Sequence, residues 1–155
     1  MKTRIKQLNG GIDNQECIKE IIELWNKNTI ETAECELDES DREAIKEQIE
    51  QYIQSKYGVV FVVINENQQA IGYGIASMKQ DLVSDMLYGQ VDEVYVAPEY
   101  RRQKVAKNLA TDLMNWFNQK DISLIHVYVD LENELALEFW EKIGLNREFF
   151  ILSNN

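Results

Sequence analysis

Four cationic side chains, Arg101, Arg102, Lys104 and Lys107, fall within seven residues at a point where the apolar pattern changes its period. Before them Val91, Val94, Tyr95 and Val96 make a β-branched and aromatic run that suits a strand, and Pro98, the only proline, removes a backbone donor and stops it. After them Val105, Leu109, Leu113, Trp116 and Phe117 recur at helical spacing with one face turned inward. Residues 101–106 are therefore a strand-to-helix turn. The first turn of such a helix leaves backbone N–H groups unpaired, and its dipole favours negative charge. With four cations around that opening the chemistry suits a diphosphate better than a neutral ligand. A solvated basic helix start fits the same residues.

The elements that must position this turn can be read from the rest of the chain. Residues 3–8 suit a first strand anchored by Ile5 and Leu8. Asp13 followed by Glu16 is a capping-box start for a helix whose face, Ile18, Ile21, Ile22 and Trp25, ends near Asn28. Ser40 with Glu43 opens a second helix, with Ile45, Ile49, Tyr52 and Ile53 inward and Gly58 at its end. Residues 59–64 and 70–78 read as a β-hairpin around a turn at 65–69. Gly72 and Gly74 within it point either to the close approach of a backbone or ligand, or to relief of crowding beneath a helix. Residues 79–90 form an apolar link suited to packing or to lining a pocket. Residues 124–130 suit a further strand, Asn133 opens a helix that Gly144 ends, and residues 147–152 suit a last strand. His126, the lone histidine, falls in a strand, where a structural role is expected.

At 155 residues and 18.1 kDa the chain suits one domain, residues 1–155. No apolar run approaches the roughly 20 residues of a membrane span. No apolar segment follows the basic residues near the start, so a cytoplasmic location is expected, with Cys17 and Cys35 reduced and no metal-ligand spacing. The net charge of −11 disfavours nucleic acid. Its distribution is polar: residues 11–60 carry 13 acidic and 5 basic side chains, whereas residues 97–120 carry 5 basic and 2 acidic. A polyanionic cofactor at one end of a cleft and a cationic amine at the other would match that polarity, although acidic helices are also simply soluble ones.

Residues 94–106 resemble the acetyl-CoA site of the GCN5-related N-acetyltransferase (GNAT) family. Its loop reads Arg or Gln, two residues, Gly, one residue, then Gly or Ala, and here it falls on Arg101-Arg102-Gln103-Lys104-Val105-Ala106. Lys104 stands where the family usually has Gly; a helical φ there is expected to keep its N–H facing the phosphate. A second family signature is matched by Asn133, Ala136, Phe139 and Gly144, with Leu145 for Phe and Trp140 for Tyr. The resemblance extends to about residue 152. It implies a mixed α/β fold, a mostly antiparallel central sheet flanked by helices, of the acyl-CoA N-acyltransferase type.

The same resemblance implies transfer of the acetyl group of acetyl-CoA to a primary amine, with a cationic small molecule (polyamine, aminoglycoside or amino-acid type) as acceptor. A protein lysine or N-terminus is the alternative, as is a non-catalytic CoA-binding sensor. The cofactor contacts it implies are Val94, Tyr95, Val96, the loop from Arg101 to Ala106, Asn133 and Ala136, with backbone groups of Val94 and Val96 holding the pantetheine arm like an added strand. For the acceptor it implies Trp25 and the acidic stretch Glu31, Glu34, Glu36, Asp38 and Asp41, for which a solvated linker is the competing reading. An alkylammonium of pKa about 10 must lose a proton before attack. Asp92 and Glu93 are the candidate bases; strand alternation sends them to opposite faces and favours Asp92 slightly. Trp140 occupies the position of the family's thiolate-protonating tyrosine, which an indole cannot replace as an acid; water, Tyr95 or Tyr128 would then take over. A homodimer through the last strand and the 79–90 link is implied by analogy with the family.

Overall fold

The run Val59 to Ile64 is apolar without alternation because both faces of its strand are covered. In the computed structural model, which describes residues 2–9 and 14–154, Val59, Phe61 and Val63 face one buried cluster and Val60, Val62 and Ile64 another. The strand carrying them, β2 (Gly58–Asn65), lies between β1 (Thr3–Gln7) and β3 (Ala70–Gln80) in a sheet that continues through β4 (Leu87–Val96) to β5 (Ile125–Val127). Pairing is antiparallel except between β4 and β5. The intervening α3 (Val105–Gln119) makes the crossover that a parallel pair requires. On one face of the sheet lie α1 (Gln15–Ala33) and α2 (Glu39–Gln54); on the other lie α3 and Trp140 of α4 (Glu134–Ile143). The result is the mixed, mostly antiparallel sheet flanked by helices that the sequence led us to expect.

Several boundaries differ from the sequence reading, each for a local reason. Asp13 lies outside the described residues. Helix α1 does not stop near Asn28 but runs to Ala33, its Thr29 and Thr32 hydroxyls turning back onto the carbonyls of Asn26 and Asn28. It ends where Glu34 takes φ +52° and donates its N–H to Ile30 O. Helix α2 is capped not by Ser40 with Glu43 but by Asp38, which accepts from Asp41 N while Asp41 accepts from Asp38 N. It ends at Gln54, and Gly58 begins β2. The 79–90 link is shorter than expected because β3 and β4 pair out to Gln80 and Leu87, leaving Leu82 and Val83 exposed at its tip. Only residues 125–127 of the expected 124–130 strand pair. Residues 147–152 form no ladder: Phe149 rests edge-on against His126 at 5.7 Å, but the segment takes no strand partner, and Phe150 and Leu152 are 82% and 93% exposed.

The two glycines of β3 have separate explanations. A Cβ on Gly74 would press at 3.2 Å on Leu109 and Leu113 of α3, which is crowding beneath a helix. A Cβ on Gly72 would meet Tyr95 O at 2.9 Å, which is the close approach of a neighbouring backbone.

Candidate active site

The site grows from an irregularity in β4. Val91 pairs with Ala76 and Glu93 with Ile75, so Asp92 has no partner on β3 and the strand carries one residue too many at this point. Such a bulge breaks the alternation of side chains. Asp92 and Glu93 consequently both face α1 and α2, and the expectation that they point to opposite faces is corrected. They share a recess of about 140 Å³ with Trp25 of α1, with Gln48, Ile49 and Tyr52 of α2, and with Ile75 of β3.

The two carboxylates have different surroundings. Asp92 accepts three side-chain hydrogen bonds, from Tyr52 Oη at 2.9 Å, Ser77 Oγ at 2.7 Å and Gln90 Nε2 at 2.6 Å. Glu93 accepts from Asn28 Nδ2 at 2.7 Å. Burial pushes the Glu93 carboxyl above its ordinary value, against the opposing effects of Asn28 and Tyr73, and the charge of Asp92 pushes it the same way. Tyr52 is also pushed up, to about 12, by burial and by the neighbouring Asp92. Tyr73 lies against Glu93 with none of its surface exposed, its ring stacked on Trp25 at 5.6 Å. Tyr52, Ser77, Gln90, Asn28 and Tyr73 were given no role in a site by the sequence reading. The available signal was Tyr52, a hydroxyl on an otherwise aliphatic inward stripe, which has to find a partner when buried.

The acidic candidates of the α1 end and the following loop divide. Glu31 accepts from Tyr95 Oη at 2.6 Å and pairs with Arg101 at 2.9 Å. Partial burial raises its carboxyl, but Tyr95 and Arg101 outweigh that and hold it below its ordinary value. Asp38 and Asp41 are engaged in the α2 cap, whereas Glu34 and Glu36 are exposed on the connection. Trp25 reaches the recess directly.

In the basic turn Arg101 is directed backward. Its Nε donates to Val96 O at 2.9 Å, its guanidinium lies over the Tyr95 ring, and it grips Glu31 across 70 residues. Arg102 and Lys104 take φ +63° and +66°, so the helical φ expected at Lys104 is corrected: the residue occupies the left-handed conformation that glycine adopts without strain. Gln103 Nε2 donates to Glu99 O, and Val105 anchors the helix start in the core. The first intrahelical bond of α3 runs from Asn108 N to Lys104 O, and no side chain caps the helix. The N–H groups of Val105, Ala106 and Lys107 thus stand at an uncapped positive helix end, the arrangement that suits phosphate. Beside it, β5 leaves β4 after the Val91–Val127 pair, so the edge of β4 from Asp92 to Val96 has no strand neighbour on that side. An extended arm can enter there and end at the carboxylates, so the residues present fit acetyl-CoA.

The second signature supplies mainly structure. Asn133 accepts from Ala136 N at 3.1 Å as the cap of α4, and Gly144 closes the helix at φ +121°. Trp140 is 8% exposed, edge-on to Phe139, within the core on the α3 side of the sheet. Tyr128 is exposed.

Among curated proteins none matches the chain by sequence. Solved structures share its fold. The aminoglycoside acetyltransferase AAC(6′)-Iy, in complex with the bisubstrate analogue CoA-S-monomethyl-acetylneamine, superposes with a TM-score of 0.77 at 19% identity, covering 100% of this chain and 99% of that one. The aminoglycoside 6′-N-acetyltransferase AAC(6′)-IG from Acinetobacter haemolyticus gives 0.75 at 20% identity, covering 98% and 97%. An aminoglycoside acetyltransferase from an uncultured soil metagenomic sample, in complex with sisomicin, gives 0.75 at 18% identity, covering 99% and 94%. The family model described as "Acetyltransferase (GNAT) family" matches residues 18–145, and the chain belongs to that family.

Proposed function

We propose that the protein, as a single cytoplasmic domain, transfers the acetyl group of acetyl-CoA to a primary amine of a cationic small molecule. The observation that carries this reading is the bulge of β4, which turns two carboxylates into one recess beside a strand edge left open by β5. The uncapped start of α3 and the cations Arg102, Lys104 and Lys107 would hold the diphosphate, and the free edge at Val94 would hold the pantetheine arm. Acetyl-CoA supplies an acyl group on a thioester whose thiolate, of pKa about 8.5, leaves without strong acid assistance.

Asp92, fixed by three donors, supplies the negative charge that attracts the ammonium. Glu93 takes its proton, since a buried carboxylate of raised pKa is the better matched base. The freed amine nitrogen then forms a bond to the carbonyl carbon, the nitrogen gives its second surplus proton to solvent, the C–S bond breaks, and the amide is released. No side-chain acid is needed at the sulfur. Trp140 is packed in the core and is no acid, Tyr95 already donates to Glu31, and burial holds the Tyr95 phenol well above its ordinary pKa; solvent protonates the thiolate.

Transfer also fits a homodimer. Phe149, Phe150 and Ile151 are exposed beside the open edge of β5, where a second copy's same segment would cover them. The direct test of the activity is amine-dependent release of free thiol from acetyl-CoA by the purified protein across a panel of polyamines, aminoglycosides, amino acids and short peptides. Release that requires an amine supports the reading. Acetyl-CoA binding without release from any acceptor overturns it in favour of a sensor.

A further inference from the structure

The recess that holds the two carboxylates has walls of a definite kind. Trp25, Ile49 and Ile75 are apolar where they line it, and the ring of Tyr52 adds to them because its hydroxyl is turned to Asp92. The charged groups are gathered at Asp92 and Glu93, and Gln48 of α2 contributes one amide to the lining. Its volume of about 140 Å³ is close to that of a cavity that encloses a single unsubstituted benzene ring, at ~150 Å³. A ligand that matches this carries one terminal cation and a slim stem without polar atoms. A methylene gains by leaving water for such walls, whereas a hydroxyl placed against Ile49 or Ile75 loses its partners.

Resting on the acetyl-transfer reading, we propose that the acceptor end that enters the recess is an unbranched aliphatic primary amine, its ammonium at Asp92 and Glu93 and its first methylenes between Trp25, Ile49, Tyr52 and Ile75. A hydroxylated sugar ring carrying the amine does not enter. Polyamines and the lysine side chain share this chemistry. Aminoglycosides, the ligands named for several proteins of the same fold, do not.

The test uses the intact protein. Thiol release from acetyl-CoA is measured with the series ethylamine, propylamine, butylamine and pentylamine, with cyclohexylmethylamine and kanamycin as ring-bearing amines, and with a lysine peptide blocked at its N-terminus. The expected result is a KM that falls about fourfold for each added methylene until the recess is filled, as burial of about 0.8 kcal/mol per methylene requires. The ring-bearing amines should have lower kcat/KM than butylamine. A preference between butylamine and the peptide then assigns the stem to a free amine or to a protein. A KM indifferent to chain length, or kanamycin favoured over every straight-chain amine, overturns the proposal while leaving acetyl transfer intact. Calorimetric titration of the same amines into CoA-saturated protein separates the two readings. If no amine releases thiol but Kd still falls along the series, the recess has been read correctly and the transfer reading fails. A flat Kd series sinks the proposal by itself.

Discussion

Tyr52 Oη donates to Asp92 Oδ2 at 2.9 Å, tying the last turns of α2 to the bulge of β4. Helix α2, which lines the recess, is thereby locked to one of its two carboxylates, and Ser77 and Gln90 hold that carboxylate from the sheet side. Asp92 is positioned from three elements or connected strands at once.

Removing that one donor should therefore loosen aim more than chemistry. Tyr52→Phe keeps the ring that walls the recess and deletes the bond to Asp92. We expect a loss of about 1 kcal/mol in stability and a KM for the amine raised by up to about tenfold, with kcat little changed. Thermal melting and steady-state kinetics check both.

Glu93→Gln should act on kcat. Loss of a proton acceptor costs about 10²- to 10⁴-fold. The pH dependence gives the sharper reading. Because the Glu93 pKa is raised in the fold, its charged form is disfavoured there, and stability contributed by the protonated form is lost as pH rises from the unfolded carboxylate value through the folded one. The wild-type enzyme should thus gain activity and lose stability over the same interval, above the ordinary carboxylate range. The Gln variant should show neither change, and a pH–rate profile alongside melts at each pH would reveal it.

Lys104→Gly should relieve the left-handed backbone at the head of α3. A side chain in that conformation costs roughly 1–2 kcal/mol, so the variant should melt a few degrees higher, with acetyl-CoA Kd altered by no more than the loss of one exposed cation. A lower melting temperature would mean that the Lys104 stem supports the turn.

Truncation after Arg147 tests the second copy. Arg147 is kept for its pairs with Glu134 and Glu141, while Phe149, Phe150 and Ile151 are removed. Sedimentation should show the full chain as a dimer and the truncated one as a monomer. A full chain that is already monomeric would dispose of the interface.

Much of the fold was legible because periodicity and punctuation agree. The run Val59 to Ile64, Pro98 and the helical repeat from Val105 place the hairpin, the central strand and α3 without tertiary information. The Arg-rich turn was legible by the same logic as a strand-to-helix turn, the end at which we propose that the cofactor binds. The recess of the two carboxylates was hidden for an identifiable reason: alternation is a rule for regular strands, and the bulge at Asp92 depends on how β4 meets β3, which no local residue announces. The pairing of Arg101 with Glu31 was out of reach for a similar reason, since the two lie 70 residues apart. The residues that hold the carboxylates, Asn28, Tyr52, Ser77 and Gln90, come from four separate elements and share no spacing. Residues 147–152 have a strand's composition, but a strand also needs an edge to pair with, and within one chain this segment does not take it.

Only three rungs, from Gly89–Ile125 to Val91–Val127, join β5 to the rest of the sheet. A seam that short is the place where the sheet should breathe first. Amide protons of Ile125, His126 and Val127 should exchange with solvent sooner than those of β2 and β3, and a molecule seated along the neighbouring open edge of β4 should slow them without touching them. Hydrogen exchange at this seam would then report occupancy of the cleft even for a compound that is never turned over.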